Sequence, residues 1–194
     1  MLNIVHFIAR GVFKLLYFTR YRGVKYIPQG AAIFCANHTS NMDPLFILFR
    51  EPIGKFPYSI GKAELFKKRP IAAFFRWVRV FPVRRGEPDL AAIKKALKVL
   101  KDGHKLIIFP EGQRVKDGSV DLTAKNGAAL FAYKTGVPIV PVHLTARKKH
   151  PFRRVCVRYG EPIHLAFDDK KPSQEDYARV MEEVMVKIRA LGME

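Results

Sequence analysis

Short apolar runs alternate with stretches of helical periodicity along most of the chain, and this alternation predicts an α/β domain. The apolar runs, bounded by Gly, Pro, Asn and Asp, predict strands over residues 24–27, 31–36, 58–61, 79–83, 105–109, 137–144 and 154–159. Apolar positions at helical spacing predict helices over residues 43–50, 65–77, 89–101, 125–135 and 174–191. We therefore expect one compact domain over residues 21–194, preceded by a distinct segment over residues 1–20.

That N-terminal segment has a pattern of its own. Residues Leu2 to Phe18 are mostly Ile, Val, Leu and Phe, and His6, Arg10 and Lys14 interrupt them at every fourth position. On a helix these three side chains form one polar stripe, which predicts an amphipathic helix lying in the membrane interface. A first helix packed on the domain core is the alternative. The interrupting charges argue against a cleaved signal peptide and against a simple transmembrane helix.

The charge of the chain indicates what kind of partner to expect. The 194 residues contain 35 Lys and Arg against 17 Asp and Glu, a formal net charge of +18 at pH 7. Such an excess predicts attraction to a polyanion. Nucleic acid, anionic lipid headgroups and an acidic carrier protein all remain open on this ground alone.

The sequence contains no motif for a metal, a disulfide or a serine hydrolase. Cys35 and Cys156 stand alone in apolar runs, so we expect them to be small buried hydrophobic residues. The histidines outside position 38 lack the spacing of metal ligands, and neither GxSxG nor a P-loop occurs. We therefore expect no bound metal and no nucleotide-hydrolase chemistry.

His38 and Asp43 are the first candidates for chemistry. The predicted strand 31–36 runs directly into Asn37-His38, and Asp43-Pro44 resembles an N-cap followed by proline at the first helical position. On a continuous helix, residues five apart are rotated by about 140°, so the two side chains meet only if the chain bends between them. Turn-forming residues at 39–41 favour such a bend. The carboxylate would then hold one imidazole nitrogen and leave the other to accept a proton. The alternative is a capping aspartate beside a loop histidine.

A second candidate group follows the predicted strand 105–109. Glu111, Gly112 and Arg114 lie in the next few residues, where α/β sheets usually bind ligands. Glycine lets the backbone approach a ligand closely, and the planar arginine fork suits a phosphate. Glu111 is a candidate to receive a hydroxyl group or to orient the arginine. A surface turn with a solvated ion pair is the alternative.

A third group of basic residues follows two other predicted strands. Lys62 comes directly after the strand 58–61, and Arg84 and Arg85 come directly after the strand 79–83. These cations suit a phosphate or an oxyanion. Solvated charge at the rim of the sheet is the alternative.

Taken together and in this order, the segments resemble the lysophosphatidic acid acyltransferases, the 1-acyl-sn-glycerol-3-phosphate O-acyltransferase family. The resemblance covers residues 23–165. Its most specific parts are the NHx4D block, here Asn37-His38 with Asp43, and the FPEGxR block, here Phe109 to Gly112 with Arg114. The family's second block matches Lys62 to Leu65 and Phe81 to Arg85, and its fourth matches Val137 to Val142. That last run is expected to be a buried or edge strand, or the wall of an acyl tunnel.

The resemblance implies a glycerolipid-acyltransferase-like fold, a mixed and largely parallel sheet flanked by helices. It also implies transfer of a fatty acyl group from an acyl thioester to the sn-2 hydroxyl of lysophosphatidic acid, giving phosphatidic acid. His38 would be the general base and Asp43 its orienting partner. Lys62 would stabilise the oxyanion. The acceptor site would be formed by Arg85, Glu111, Gly112 and Arg114, with Arg84 added where many members carry Asp.

The resemblance also implies the partners and the location. No cofactor is expected, because acyl-CoA or acyl carrier protein acts as co-substrate. A phospholipid surface would bind the protein, as a peripheral or monotopic enzyme on the cytoplasmic face of the membrane. The same chemistry on a different lysolipid or lipid acceptor remains an alternative. A basic nucleic-acid-binding module would explain the charge of +18 but leave both motif blocks without a purpose.

Overall fold

The computed structural model describes residues 11, 17–52, 55–84, 89–112, 126–148, 153–166 and 172–193. The strands are β1 (Tyr17–Arg22), β2 (Ile33–Ala36), β3 (Tyr58–Lys62), β4 (Val80–Val83), β5 (Leu106–Ile108), β6 (Ile139–Lys148) and β7 (Arg153–Tyr159). The α-helices are α1 (Asp43–Leu48), α2 (Arg69–Trp77), α3 (Leu90–Lys101), α4 (Gly127–Thr135) and α5 (Gln174–Met193). Two 3₁₀ segments cover Val24–Tyr26 and Ala63–Phe66.

The described strands form one seven-stranded sheet in the order β1-β7-β6-β2-β5-β3-β4. The pair β6–β7 is antiparallel and all the other neighbouring pairs are parallel. The prediction of a mixed, largely parallel sheet flanked by helices is therefore confirmed. Strands β2 to β6 all run in one direction, so their carboxyl ends meet at one edge of the sheet, called here the carboxyl edge.

Strand β2 lies in the middle of this sheet and is buried on both faces. All four of its residues have no exposed surface. Ile33 and Cys35 pack into the core formed with α3, α4 and α5, whereas Phe34 and Ala36 pack into the core formed with α1. Parallel strands covered on both faces are apolar throughout. The residues that follow β2 at the carboxyl edge are therefore held on a closely packed support.

The first strand corrects the predicted boundary of the N-terminal segment. Tyr17–Arg22 pairs in parallel with β7 at the edge of the sheet, so the interface helix cannot extend to residue 20. The chain there alternates between exposed and half-buried side chains, as an edge strand does. Residues 1–10 and 12–16 lie outside the described residues, and the interface helix remains a prediction. Among the described helices, none has the length and apolar character needed to cross a membrane.

The predicted strand over residues 24–27 is wrong, because Val24–Tyr26 forms a 3₁₀ turn. Gly23 precedes it with a φ of 66°, in the left-handed region that favours glycine. A Cβ atom at Gly23 would lie 2.0 Å from the carbonyl oxygen of Tyr159, so no larger residue fits. The left-handed backbone at Gly23 therefore ends β1, and the chain forms a 3₁₀ turn where the sequence predicts a second strand.

The helix predicted over residues 65–77 is divided in two. A 3₁₀ segment at Ala63–Phe66 is separated from α2 by Lys67 and Lys68, and the backbone of Lys68 is extended. Pro70 lies in the first turn of α2, where its missing N–H group costs nothing, whereas a proline is poorly tolerated in a helix interior. The proline therefore starts a helix instead of sitting inside one.

The other predicted elements are confirmed within a few residues of their ends. Asp89 caps α3 by accepting the backbone N–H of Ala92 (3.0 Å). Ser173 caps α5: its hydroxyl accepts the N–H of Asp176 (3.1 Å), and the Asp176 carboxylate accepts the N–H of Ser173 (2.9 Å). This reciprocal pair is a capping box.

Candidate active site

Asn37 fixes the end of β2 against the neighbouring strand β6. Its side-chain amide donates to the carbonyl oxygen of Leu144 (3.1 Å), and its amide oxygen accepts the backbone N–H of Leu144 (2.7 Å). The main-chain pairing of β2 with β6 ends at Ala36. The Asn37 carboxamide makes the next two hydrogen bonds to β6 in place of the main chain. Because Leu144 is buried, these two hydrogen bonds hold the chain in one position directly before His38.

His38 and Asp43 are in contact across a tight turn. Nδ1 of His38 lies 3.1 Å from Oδ2 of Asp43. The same carboxylate oxygen accepts the backbone N–H groups of Thr39 (2.7 Å) and Ser40 (2.6 Å). In return, the N–H of Asp43 donates to the carbonyl oxygen of Ser40 (3.1 Å). The predicted bend is therefore present, and three donors around one buried oxygen hold the carboxylate in place.

Asp43 is not the N-cap of α1 that the sequence predicts. Met42 occupies the N-cap position, and Asp43 is the first helical residue. Its carboxylate points back into the turn instead of capping the N–H groups of the helix, because Thr39 and Ser40 already present two backbone donors to it. Asp43 consequently shapes the turn and contacts the imidazole with the same oxygen atom.

The ring of His38 is held on its face as well as at its edge. The ring of Phe109 stacks on it, with centroids 4.1 Å apart and planes inclined by 26°. With a carboxylate as acceptor, Nδ1 carries a proton and Nε2 presents its lone pair. Nε2 has no hydrogen-bonding partner among the residues that the structure describes, and 14% of the side chain is exposed. The arrangement can therefore accept a proton from a hydroxyl group brought to Nε2.

Glu111 ties the loop after β5 to the loop after β2. Its carboxylate accepts the backbone N–H of His38 (3.2 Å), and the residue is 7% exposed. Gly112 has a φ of 67°, and its N–H donates to the carbonyl oxygen of Phe109 (3.0 Å), which closes a tight turn. A side chain at position 112 would strain this turn. The two predicted blocks are thus brought together at the carboxyl edge.

Lys62 and Arg84 lie further along the same edge. Lys62 ends β3 and pairs with Val83, which directly precedes Arg84. Both side chains are exposed. Neighbouring strands lie about 4.8 Å apart, so Lys62 is offset from β2 by about 10 Å across β5. The two cations therefore stand at one side of the His38 site without contacting it.

The remaining predicted site residues have different outcomes. Arg85 and Arg114 lie outside the described residues, and their roles remain predictions. The run 137–142 leads into β6, which lies between β7 and β2 and is buried over residues 139–142. It is thus a buried core strand, as one of the expected forms has it, and not an edge strand. The part of the chain that the structure describes holds no group of His, Cys, Asp and Glu side chains able to bind a metal ion.

Besides the hydrogen bond from the His38 N–H to Glu111, two contacts of the site go beyond what the sequence predicts. The hydrogen bonds of Asn37 to β6 are one, although an Asn directly after a buried strand is a residue type able to continue the strand's hydrogen bonding. The stacking of Phe109 on His38 is the other, and it has no local signal, because the two residues are neighbours only through the pairing of β2 with β5.

Known proteins are similar to this chain in sequence and in fold. Residues 19–145 match the family model described as Acyltransferase. The 1-acyl-sn-glycerol-3-phosphate acyltransferase of Bacillus subtilis is 33% identical over 146 residues, which is 72% of this chain and 72% of that protein. The enzyme of the same name from Streptococcus pneumoniae is 31% identical over 167 residues, 84% of this chain and 61% of that protein.

A solved structure agrees with these matches. The crystal structure of the 1-acyl-sn-glycerophosphate (LPA) acyltransferase PlsC from Thermotoga maritima aligns with a TM-score of 0.71 and 27% identity. The alignment covers 99% of this chain and 78% of that one. His38, Asp43 and Glu111 all fall within the matched part of the family model. This chain therefore belongs to the acyltransferase family and, within it, to the 1-acyl-sn-glycerol-3-phosphate acyltransferases.

Proposed function

We propose that this protein transfers a fatty acyl group from an acyl thioester to the sn-2 hydroxyl of 1-acyl-sn-glycerol 3-phosphate, giving phosphatidic acid. The observation that carries the proposal is the contact of 3.1 Å between Nδ1 of His38 and Oδ2 of Asp43. This contact leaves Nε2 as a base at the open end of the strand β2.

The proton moves through His38. Nε2 removes the proton from the acceptor hydroxyl while the hydroxyl oxygen attacks the thioester carbonyl carbon. The Asp43 carboxylate stabilises the imidazolium that forms. Collapse of the tetrahedral intermediate breaks the carbon–sulfur bond, and the imidazolium returns its proton to the departing thiolate. His38 ends each turnover in its starting state.

No covalent acyl-enzyme is needed for this reaction. A thioester is activated enough for direct attack by an alcohol whose proton is being removed. Cys35 lies close to the site in sequence, but it is fully buried, and burial raises the pKa of its thiol far above the ordinary range. It is therefore a core residue and cannot act as the nucleophile.

The basic residues at the carboxyl edge suit an acceptor with a phosphate group. Lys62 and Arg84 are exposed beside the His38 site, and Arg85 and Arg114 are proposed to complete the phosphate contacts. Lys62, which lies nearer to His38 than Arg84 does, is proposed to stabilise the oxyanion of the intermediate. Glu111 and Gly112 form the turn beside them and shape the acceptor site.

The direction of β1 supports a membrane-bound acceptor. In the sheet, Tyr17 of β1 lies beside Arg153 of β7, and Arg153 lies beside Lys148 of β6. Lys148 is four residues past Leu144, whose backbone is hydrogen-bonded to the Asn37 side chain at the carboxyl edge. Four residues of strand span about 13 Å. The chain before Tyr17, the proposed interface helix, therefore joins the domain on the side of the carboxyl edge. We propose peripheral or monotopic binding at the cytoplasmic face of the membrane, with acyl-CoA or acyl carrier protein as donor.

The proposal is tested by offering the purified protein a panel of lysolipids with each donor in turn and identifying the products by mass spectrometry. We expect phosphatidic acid from 1-acyl-sn-glycerol 3-phosphate. Acylation confined to a different lysolipid would contradict the proposed acceptor and keep the chemistry. Absence of any acylated lipid with either donor would contradict the chemistry as well.

A further inference from the structure

Helix α2 presents an apolar face that the domain core does not cover. Ile71 is 43% exposed and Phe74 is 46% exposed, while Ala72 is the buried residue of this helix. Residues three apart lie on the same side of a helix. The Phe74 ring packs on Phe75 and Trp77 of the same helix, which joins the aromatic residues into one surface. The rest of the apolar stripe of α2 packs on the core, so Ile71 and Phe74 extend that stripe to a surface that an apolar partner can cover.

The apolar face begins at the active-site side of the sheet. Leu65 is 41% exposed and lies in the 3₁₀ segment that directly follows β3 at the carboxyl edge. Leu65, Ile71 and Phe74 therefore extend from the carboxyl edge along the outer side of α2. Phe75 and Trp77 of the same helix, and Val78 directly after it, pack against the core that contains α1, next to the exposed Ile71 and Phe74.

Exposed basic residues flank these apolar residues in the sequence. Exposed cations in the same stretch of chain are Lys62, Lys67, Lys68, Arg69 and Arg76. Glu64 is the one exposed acidic residue between residues 62 and 77. The combination of apolar side chains with a basic border is typical of segments that lie in the interface of an anionic membrane.

We infer that these residues, Leu65, Ile71 and Phe74 with Lys67, Lys68, Arg69 and Arg76, form a membrane-docking surface for anionic phospholipid. This α2 docking surface is part of the catalytic domain and is separate from the N-terminal segment. The inference rests on the proposed function, because it states how His38 reaches an acceptor that resides in a bilayer. The basic border binds the headgroups while the apolar residues enter the acyl region beneath them.

A nucleic acid fits this surface less well. Phosphates would pair with the lysines and arginines. Leucine and isoleucine gain free energy only by leaving water for an apolar environment, which a lipid bilayer supplies and a phosphate backbone does not. The continuity of the surface with the carboxyl edge also brings the bilayer to the place where the acceptor must enter.

The test compares variants of the full-length chain in binding to vesicles. The double variant Ile71→Glu/Phe74→Glu removes the apolar contacts. The matched control Leu90→Glu/Val186→Glu makes the same change at residues that are 67% and 54% exposed on α3 and α5, which pack on the other face of the sheet. Circular dichroism and thermal unfolding confirm that each variant folds. Binding is measured by co-sedimentation with phosphatidylglycerol vesicles and with phosphatidylcholine vesicles.

We expect the α2 double variant to lose about tenfold or more in partitioning to phosphatidylglycerol vesicles, since two apolar side chains no longer enter the bilayer. The control should stay within about twofold of wild type. A second variant, Lys67→Gln/Lys68→Gln, should lose about tenfold on phosphatidylglycerol and change little on phosphatidylcholine. Binding of the α2 double variant equal to that of the control would overturn the docking surface.

Acyl transfer to a short-chain, monomeric lysophosphatidic acid is measured on the same proteins. We expect the α2 double variant to keep this activity and to lose activity on the same lysolipid embedded in vesicles. The vesicle-binding result does not depend on catalysis. Failure of the docking surface is therefore seen as unchanged binding, and failure of the proposed function as absence of acyl transfer by the wild type.

Discussion

Oδ2 of Asp43 lies 3.1 Å from Nδ1 of His38, and the same oxygen accepts two backbone N–H groups of the turn between them. One atom therefore has two tasks. It closes the turn that carries His38 from β2 to α1, and it orients the imidazole. A change at Asp43 affects both the stability of the turn and the chemistry of the ring, and different substitutions separate the two effects.

Replacing Asp43 with Asn should reduce catalysis more than stability. The Asn oxygen can still accept the N–H groups of Thr39 and Ser40, but a neutral amide no longer stabilises an imidazolium. We expect kcat to fall by about a hundredfold or more. The free energy of unfolding should change little, as measured by chemical denaturation.

Asp43→Ala provides the contrast, because it removes the acceptor itself. Each backbone N–H left without a partner costs about 1–3 kcal/mol, so this variant should be clearly less stable than Asp43→Asn. Equal stability of the two variants would contradict the role of Oδ2 in closing the turn. Wild-type activity of Asp43→Asn would contradict its role in orienting His38.

Asn37 should act by positioning His38. Asn37→Ala leaves the N–H and carbonyl groups of buried Leu144 without their partner, which should lower the free energy of unfolding by about 1–3 kcal/mol. The loosened strand end should lower kcat more than it raises KM. The control is Asn41→Ala, an exposed position in the same turn. If Asn37→Ala and Asn41→Ala behave alike in stability and in kcat, the positioning role is wrong.

His143, on β6, should make the stability of the protein depend on pH. Burial, followed by the charge of Arg158, holds the pKa of its ring below the ordinary value of 6.5. Its Nδ1 lies 3.2 Å from the hydroxyl of Thr145, and Gly192 of α5 packs against the ring. Below pH 6.5 the unfolded chain therefore binds the proton more readily than the folded protein does.

The free energy of unfolding should consequently fall as the pH is lowered from 6.5 toward the pKa of the folded state, and His143 should contribute nothing to the pH dependence above that range. Chemical denaturation of wild type and His143→Gln at several pH values measures the effect. The variant should lose less stability on acidification. Identical slopes for the two proteins would contradict the contribution of His143.

The fold shows which features a local pattern can predict. The predicted starts of the helices over residues 89–101 and 174–191 are correct to within one residue, because Asp89 and Ser173 cap them and a cap acts within one turn of chain. Strand β1 is not predicted, because its partner β7 begins at Arg153 and no local signal shows that pairing. The 3₁₀ turn after Gly23 is not predicted for a similar reason, since Tyr159 approaches Gly23 only in the folded sheet.

The contacts of the site also separate into local ones, which the sequence predicts, and long-range ones, which it does not. The contact of His38 with Asp43 is predictable, because both residues lie in one short turn whose composition favours a bend. The stacking of Phe109 and the hydrogen bond from His38 to Glu111 require β2 and β5 to be neighbours, which only the sheet order reveals. The same holds for Asn37 and Leu144, which meet through the pairing of β2 with β6.

The most direct test of the proposed chemistry is the rate of phosphatidic acid formation by wild type and by His38→Ala, from 1-acyl-sn-glycerol 3-phosphate and an acyl thioester. If His38 is the general base, the variant should fold normally and lose about 10²- to 10⁴-fold in kcat. A folded His38→Ala protein that forms phosphatidic acid at nearly the wild-type rate would contradict the assignment.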